Sequence, residues 1–175
     1  FRAAAEARAA ALVARTWDEP SGLFLDWHLE EETRRDYPFL TTFWPLWAGL
    51  ASSAQAARVR DQLSLFERPG GLMASPYRTG CQWDAPFAWA PLQLFAVGGL
   101  HRYGFEADAR RVAAAFLRAV QADFEATRVF REKYDAEAAS GDVTGQLAYG
   151  YASNEVGFGW TNAVVLELLD YLETG

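Results

Sequence analysis

Two apolar helical stretches, each reached through aromatic residues and each followed by an amphipathic helix, constrain this fold more than any other feature. Phe43-Trp44-Pro45-Leu46-Trp47-Ala48-Gly49-Leu50 is echoed by Ala88-Trp89-Ala90-Pro91-Leu92-Gln93. After the first, Ser52 or Ser53 caps a helix with Ala56, Val59, Leu63 and Phe66 on one stripe, stopped by Pro69-Gly70-Gly71. The second runs from about Phe87 to Tyr103 and is closed by Gly104; a helix over about Phe105 to Glu125 follows, with Ala109, Val112, Ala113, Phe116, Leu117, Val120 and Phe124 inward. A largely apolar helix is covered on most sides, whereas an amphipathic one has a wet face. Inner helices alternating with outer ones predict an all-α fold, part of an α/α toroid. Such pairs bury their faces only by stacking, and five helices are too few to close a ring.

The remaining segments fit this frame. Residues 2 to 17 read as an alanine-rich helix, with Ala5, Ala9, Leu12, Val13 and Trp17 near one face, stopped at Asp18-Glu19-Pro20-Ser21-Gly22. Gly22 to Leu29 reads as a short strand or hairpin arm, with the charged run Glu30 to Asp36 as its turn. Residues 128 to 134 read as extended, Ala136 to Gly159 as a loop, and Trp160 to Glu173 as a final helix with Val164, Val165, Leu168, Leu169 and Leu172 inward. The chain opens on Phe-Arg-Ala-Ala-Ala, already in a helical pattern. We expect residues 1–175 to be the C-terminal portion of a single domain whose N-terminal portion lies outside them.

Composition removes several functional classes. A net charge of −7 with scattered arginines lacks the basic patch that displaces phosphate counterions, so a nucleic-acid surface is not expected. No apolar run reaches the roughly 20 residues of a membrane span. The single Cys81 excludes an internal disulfide and belongs to no metal-ligand pattern; His28 and His101 match no motif. No metal or cofactor is expected.

What the helices do not explain is the polar and aromatic content of three loops. Gln82-Trp83-Asp84-Ala85-Pro86-Phe87-Ala88-Trp89-Ala90-Pro91-Leu92-Gln93 crowds rings, a carboxylate and an amide ahead of an apolar helix. Arg131-Glu132-Lys133-Tyr134-Asp135 and Gly157-Phe158-Gly159-Trp160-Thr161-Asn162 are of the same kind. Sugar rings lay their C–H faces on aromatic rings, and their hydroxyls need Asp, Glu, Gln and Arg partners. Breaking a glycosidic bond takes two carboxyl groups on opposite sides of the sugar.

These motifs resemble those of the trehalase family of glycoside hydrolases. Residues 82 to 93 are similar to its Gln-Trp-Asp-x-Pro signature, which precedes a small residue and Trp-x-Pro; Glu132-Lys133-Tyr134-Asp135 matches its Glu-Lys-Tyr-Asp or -Asn element. Gly157 to Asn162, followed by Leu166-Glu167-Leu168, matches its C-terminal signature, and Pro45 to Leu50 fits a weaker upstream block. The resemblance covers nearly all of this chain and about the C-terminal third of a typical family member. It implies an (α/α)6 toroid, hydrolysis of the disaccharide α,α-trehalose to two glucose molecules with inversion, and no cofactor. It makes Glu132 the general base and puts the acid Asp in the absent N-terminal part, so the isolated residues are expected to be inactive. Substrate contacts are expected from Gln82, Trp83, Asp84, Glu155, Phe158 and Trp160.

Each residue has a plainer reading. Glu132 alone is an ordinary surface glutamate beside Lys133. Asp84 fits a helix cap or a structural hydrogen bond as well as a sugar contact. Trp83 and Trp89 could be core rings, Phe158 and Trp160 could lock the last helix, and Asp135 orients its loop. One stretch departs from the family pattern: where the family carries a substrate-binding Glu, this chain has Tyr151, and a carboxylate follows four residues later at Glu155. Either Glu155 takes the role or the site reads another sugar. The alternatives are therefore a related six-hairpin glycosidase acting on a different α-glucoside, and a truncated, non-catalytic carbohydrate-binding remnant.

Overall fold

The computed structural model describes residues 1–143 and 153–174; Tyr151 lies outside the described residues. The chain starts with helix α1 (Arg2–Thr16), then hairpin β1 (Trp17–Asp18) and β2 (Leu23–Phe24), and a second hairpin β3 (Trp27–His28) and β4 (Thr33–Arg34). The charged run after Leu29 is therefore divided: Glu30 and Glu31 sit in the turn, and Thr33–Arg34 form the return strand. A 3-10 turn (Leu40–Phe43) feeds the four-residue helix α2 (Trp44–Trp47), where Pro45 occupies a first-turn position that has no N–H to satisfy.

Helix α3 (Ser53–Asp61) is capped by Ser52. Its hydroxyl accepts from Gln55 N at 3.2 Å and the Gln55 side chain accepts from Ser52 N at 2.9 Å, a reciprocal capping box. The apolar stripe continues through α4 (Leu63–Phe66), so Ala56, Val59, Leu63 and Phe66 are all buried although the helix breaks at Gln62. The Pro69-Gly70 turn joins hairpin strands β5 (Glu67–Arg68) and β6 (Gly71–Leu72). Gly71 has φ +113°, and a Cβ there would lie 2.9 Å from Gln93 Oε1 and 3.1 Å from Phe116 Cβ, so backbone conformation and space both demand glycine.

Two helices form the centre. Helix α5 (Ala90–Arg102) buries Leu92, Gln93, Ala96, Val97, Gly99 and Leu100, as an inner helix must. Helix α6 (Glu106–Thr127) packs beside it with Ala109, Val112, Ala113, Phe116 and Val120 buried and an arginine- and glutamate-bearing outer face. Asp108 ties this helix outward: burial pushes its carboxyl up, but Arg60 Nε at 2.6 Å and Arg111 Nη1 at 2.5 Å outweigh that and hold it below the usual range. The final helix α7 (Gly159–Thr174) packs on α5 and α6 through Val164, Val165 and Leu168.

Two expectations need correction. The helix expected from Phe87 begins only at Ala90, because Phe87–Trp89 form strand β7, paired antiparallel with β8 (Lys133–Asp135). Leu169 is exposed rather than inward. Helix α1 carries its apolar stripe but buries none of its residues.

Candidate active site

The site is built on the β7–β8 pair. Phe87 lies opposite Asp135, Ala88 opposite Tyr134, and Trp89 opposite Lys133, so the first two loop motifs share a ladder. All six residues are buried. The third motif joins from the other side: Arg131 bridges Val156, Glu132 N donates to Glu155 O at 2.8 Å, and Gly157 N donates to Phe130 O at 2.7 Å. Segments far apart in sequence are thus stitched together by backbone hydrogen bonds.

Glu132 sits at the junction, 1% exposed. The surface-glutamate reading does not hold. Its Oε2 is 3.0 Å from Lys133 Nζ, and the lysine is itself fully buried. Lys133 also donates to Ser153 O at 2.8 Å and lies 5.4 Å from the centre of the Trp89 ring. A buried ammonium needs such partners, because removal from water without them costs several kcal/mol.

Aromatic residues surround this ion pair. Trp83 stacks on Trp89 with ring centroids 3.9 Å apart and planes 10° from parallel; Trp160 meets Trp89 edge-on at 5.7 Å, and Phe158 leans on Trp160 at 4.7 Å. Trp89 is a core ring whose Nε1 donates to Gln82 O at 2.9 Å. Trp83 is only half-buried. Trp160 both anchors α7 and donates from Nε1 to Glu132 O at 3.2 Å. Gln82 Oε1 is buried with no hydrogen-bond partner among the described residues, an acceptor that a ligand hydroxyl could satisfy.

Asp84 is 2% exposed and does not cap a helix, since α5 starts six residues later. Its Oδ1 accepts from Tyr37 Oη and, at 3.1 Å, from Ser75 Oγ; its Oδ2 accepts from Thr79 Oγ1 and, at 2.9 Å, from Thr79 N. Burial pushes the carboxyl up, and these donors together outweigh burial and hold it below the usual carboxylate range. Burial, and then the bond to Asp84, push Tyr37 up to about 12. Asp84 thereby orders the loop that carries Gln82 and Trp83. Asp135 plays the expected orienting part, its Oδ1 accepting from Glu137 N and Ala138 N, both at 2.8 Å. Glu155 is exposed, and what it brings to Glu132 is its main-chain carbonyl.

Sequence reasoning missed Lys133, Asn154, Thr161 and the Tyr37–Ser75–Thr79 cradle. Asn154 accepts from Lys133 N at 3.1 Å and donates to Lys133 O at 2.9 Å; Thr161 Oγ1 donates to Arg131 O at 2.7 Å. The only local signal was that Lys133 and Thr161 stand inside the motifs already singled out. Among the described residues, no group of three or more His, Cys, Asp or Glu could hold a metal ion, and no helix is long and apolar enough to cross a membrane.

Buried helix pairs with aromatic loops, a carboxylate and a lysine gathered at one place define a class: the helix-rich fold is that of part of an (α/α)6 toroid. The chain superposes on neutral trehalase Nth1 from Saccharomyces cerevisiae with a TM-score of 0.80 and 34% identity, covering 99% of this chain and 30% of that one. The fold is shared with a GH63 mannosylglycerate hydrolase from Thermus thermophilus, at a TM-score of 0.71 and 22% identity, covering 91% of this chain and 37% of that one. The family model described as Trehalase matches residues 1–173. A periplasmic trehalase of Xanthomonas oryzae pv. oryzae is 40% identical over 172 residues, covering 97% of this chain and 29% of the relative. A cytosolic neutral trehalase of Kluyveromyces lactis is 35% identical over 185 residues, covering 96% and 24%. The chain belongs to the trehalase family, and it spans less than a third of the length of these relatives.

Proposed function

We propose that the chain forms part of an inverting glycoside hydrolase that cleaves α,α-trehalose to two glucose molecules. Glu132 is the general base. It takes a proton from a water molecule as the water oxygen bonds to the anomeric carbon, and the bond from that carbon to the bridging oxygen breaks. The proton for the departing oxygen comes from an Asp outside these 175 residues. The water between the two groups sets a separation of about 6.5–9.5 Å between their carboxyls. Trp83 and Phe158 supply ring faces for the sugar, Gln82 Oε1 accepts from a hydroxyl, and Trp160 walls the pocket. Asp84 serves the sugar indirectly by shaping the Trp83 loop.

The observation that carries this reading is the burial of Glu132 beside Lys133, at the point where all three motifs are joined by backbone hydrogen bonds. The test uses the complete gene product. Glu132→Gln is expected to lower kcat on trehalose at least about 10³-fold, toward the upper end of what loss of a general base costs, because the attacking water also loses its anchor. Retained turnover would remove Glu132 from the reaction.

One observation favours a second substrate reading. Glu155 is exposed and offers Glu132 a carbonyl, not a carboxylate. A site lacking that sugar contact would suit a different α-glucoside, and a panel of disaccharides on the same protein decides between the two.

A further inference from the structure

We propose that Thr161 and Asn154 are positioning residues for Glu132, clamping the two peptide planes that flank its Cα. This rests on the reading of Glu132 as the base. In the plane between Arg131 and Glu132, the carbonyl accepts from Thr161 Oγ1 at 2.7 Å and the N–H donates to Glu155 O at 2.8 Å. In the plane between Glu132 and Lys133, the carbonyl accepts from Trp160 Nε1 at 3.2 Å and the N–H donates to Asn154 Oδ1 at 3.1 Å. All four polar backbone groups around the glutamate are held. The two soft torsions between the planes are therefore fixed.

Three of the four partners are side chains, and each is committed elsewhere. Thr161 is fully buried in the first turn of α7. A threonine in a helix commonly turns its hydroxyl to a carbonyl one turn back. Here the hydroxyl leaves its helix and bonds the Arg131 carbonyl, so α7 and the glutamate segment move as one body. Asn154 Nδ2 donates to Lys133 O at 2.9 Å and to Gly141 O at 2.8 Å, so its amide lies along the Lys133 backbone as a neighbouring strand would. Arg131 is held further by its N–H to Tyr134 Oη at 3.1 Å and its Nε to Asp123 Oδ2 at 3.0 Å.

The clamp matters because the glutamate side chain is a lever. A turn of about 15° at its Cα, carried over roughly 4 Å, displaces the carboxylate by about 1 Å, and a misplacement of that size costs roughly 10²-fold in rate. A base that must meet one water molecule gains more from a fixed backbone than from a tight ligand.

The complete gene product carrying Thr161→Val, Thr161→Ser or Asn154→Leu tests this. Rates are measured on trehalose and on α-glucosyl fluoride, whose fluoride leaves without a proton from the acid. Thr161→Val keeps the shape and removes the hydrogen bond; it is expected to lower kcat about 10–100-fold on both substrates with KM within about twofold. Thr161→Ser restores the hydrogen bond and the rate. Asn154→Leu, which keeps the approximate shape and removes the acceptor for Lys133 N together with both donors, follows Thr161→Val. A wild-type kcat in Thr161→Val overturns the proposal whatever happens to its melting temperature, and so does a loss that serine fails to restore. Should the valine variant not fold, Asn154→Leu at full rate overturns it equally. Glu132→Gln is the control: if that variant is active, the base assignment fails; if it is inactive and Thr161→Val is not impaired, the clamp alone fails.

Discussion

Lys133 and Asp84 solve the same problem with opposite signs: a charge held out of water beside the candidate site. Lys133 has a carboxylate, a carbonyl and the face of Trp89; Asp84 has donors from Tyr37, Ser75 and Thr79. Neither arrangement is visible along the chain, since Tyr37 and Asp84 are 47 residues apart. For Asp84 the pH consequence is definite. Its folded-state value lies below the ordinary 3.8, so the stability it contributes is fully present above about 3.8 and is lost as pH falls through the lowered value. Asp84→Asn is expected to cost about 2–4 kcal/mol near neutral pH, from lost charge-assisted hydrogen bonds. It should also flatten the loss of stability that sets in below about 3.8, read between about pH 5 and about pH 2.5. Urea unfolding at both pH values measures this, and equal acid sensitivity in the two proteins would argue against the internal role.

At the scale of elements, side-chain amides replace missing strands. Gln93, buried in α5, accepts from Leu72 N at 2.8 Å and donates to Leu72 O at 2.7 Å, as Asn154 does with Lys133. Gln93→Leu would leave both Leu72 groups buried and unpaired, at about 1–3 kcal/mol each. A drop of roughly 2–5 kcal/mol in unfolding free energy is expected; a near-neutral result would mean that water replaces the amide. Elements with their own periodicity or cap were readable: α6 from its stripe, and α3 from its stripe and a serine cap at Ser52 or Ser53. Strand β7 was not, because three residues carry no period and its partner lies more than 40 residues downstream. The positions of Asn154 and Gln93 were hidden for a related reason. Their partners are backbone atoms, which carry no sequence signature.

At the scale of the molecule, apolar surface is left open. Trp44 and Trp47 are 46% and 48% exposed, and with Leu12, Pro45, Leu50 and Phe95 they line an apolar hollow of about 330 Å³. Leu166 and Leu169 are exposed on α7. Surface of this kind favours association. The 175 residues expressed alone are expected to bind an apolar dye, to sediment as a mixture and to hydrolyse no trehalose; an active, dye-silent monomer would contradict this. Patterns that repeat within a helical turn, and motifs that stand together in the chain, announced the helices and singled out the three loops that meet around Glu132. Which charges are buried, and which backbone groups hold that glutamate still, depended on contacts between residues distant along the polypeptide. Hydrogen bonds and ion pairs act through space over about 3 Å, a proximity that only the packed helices create.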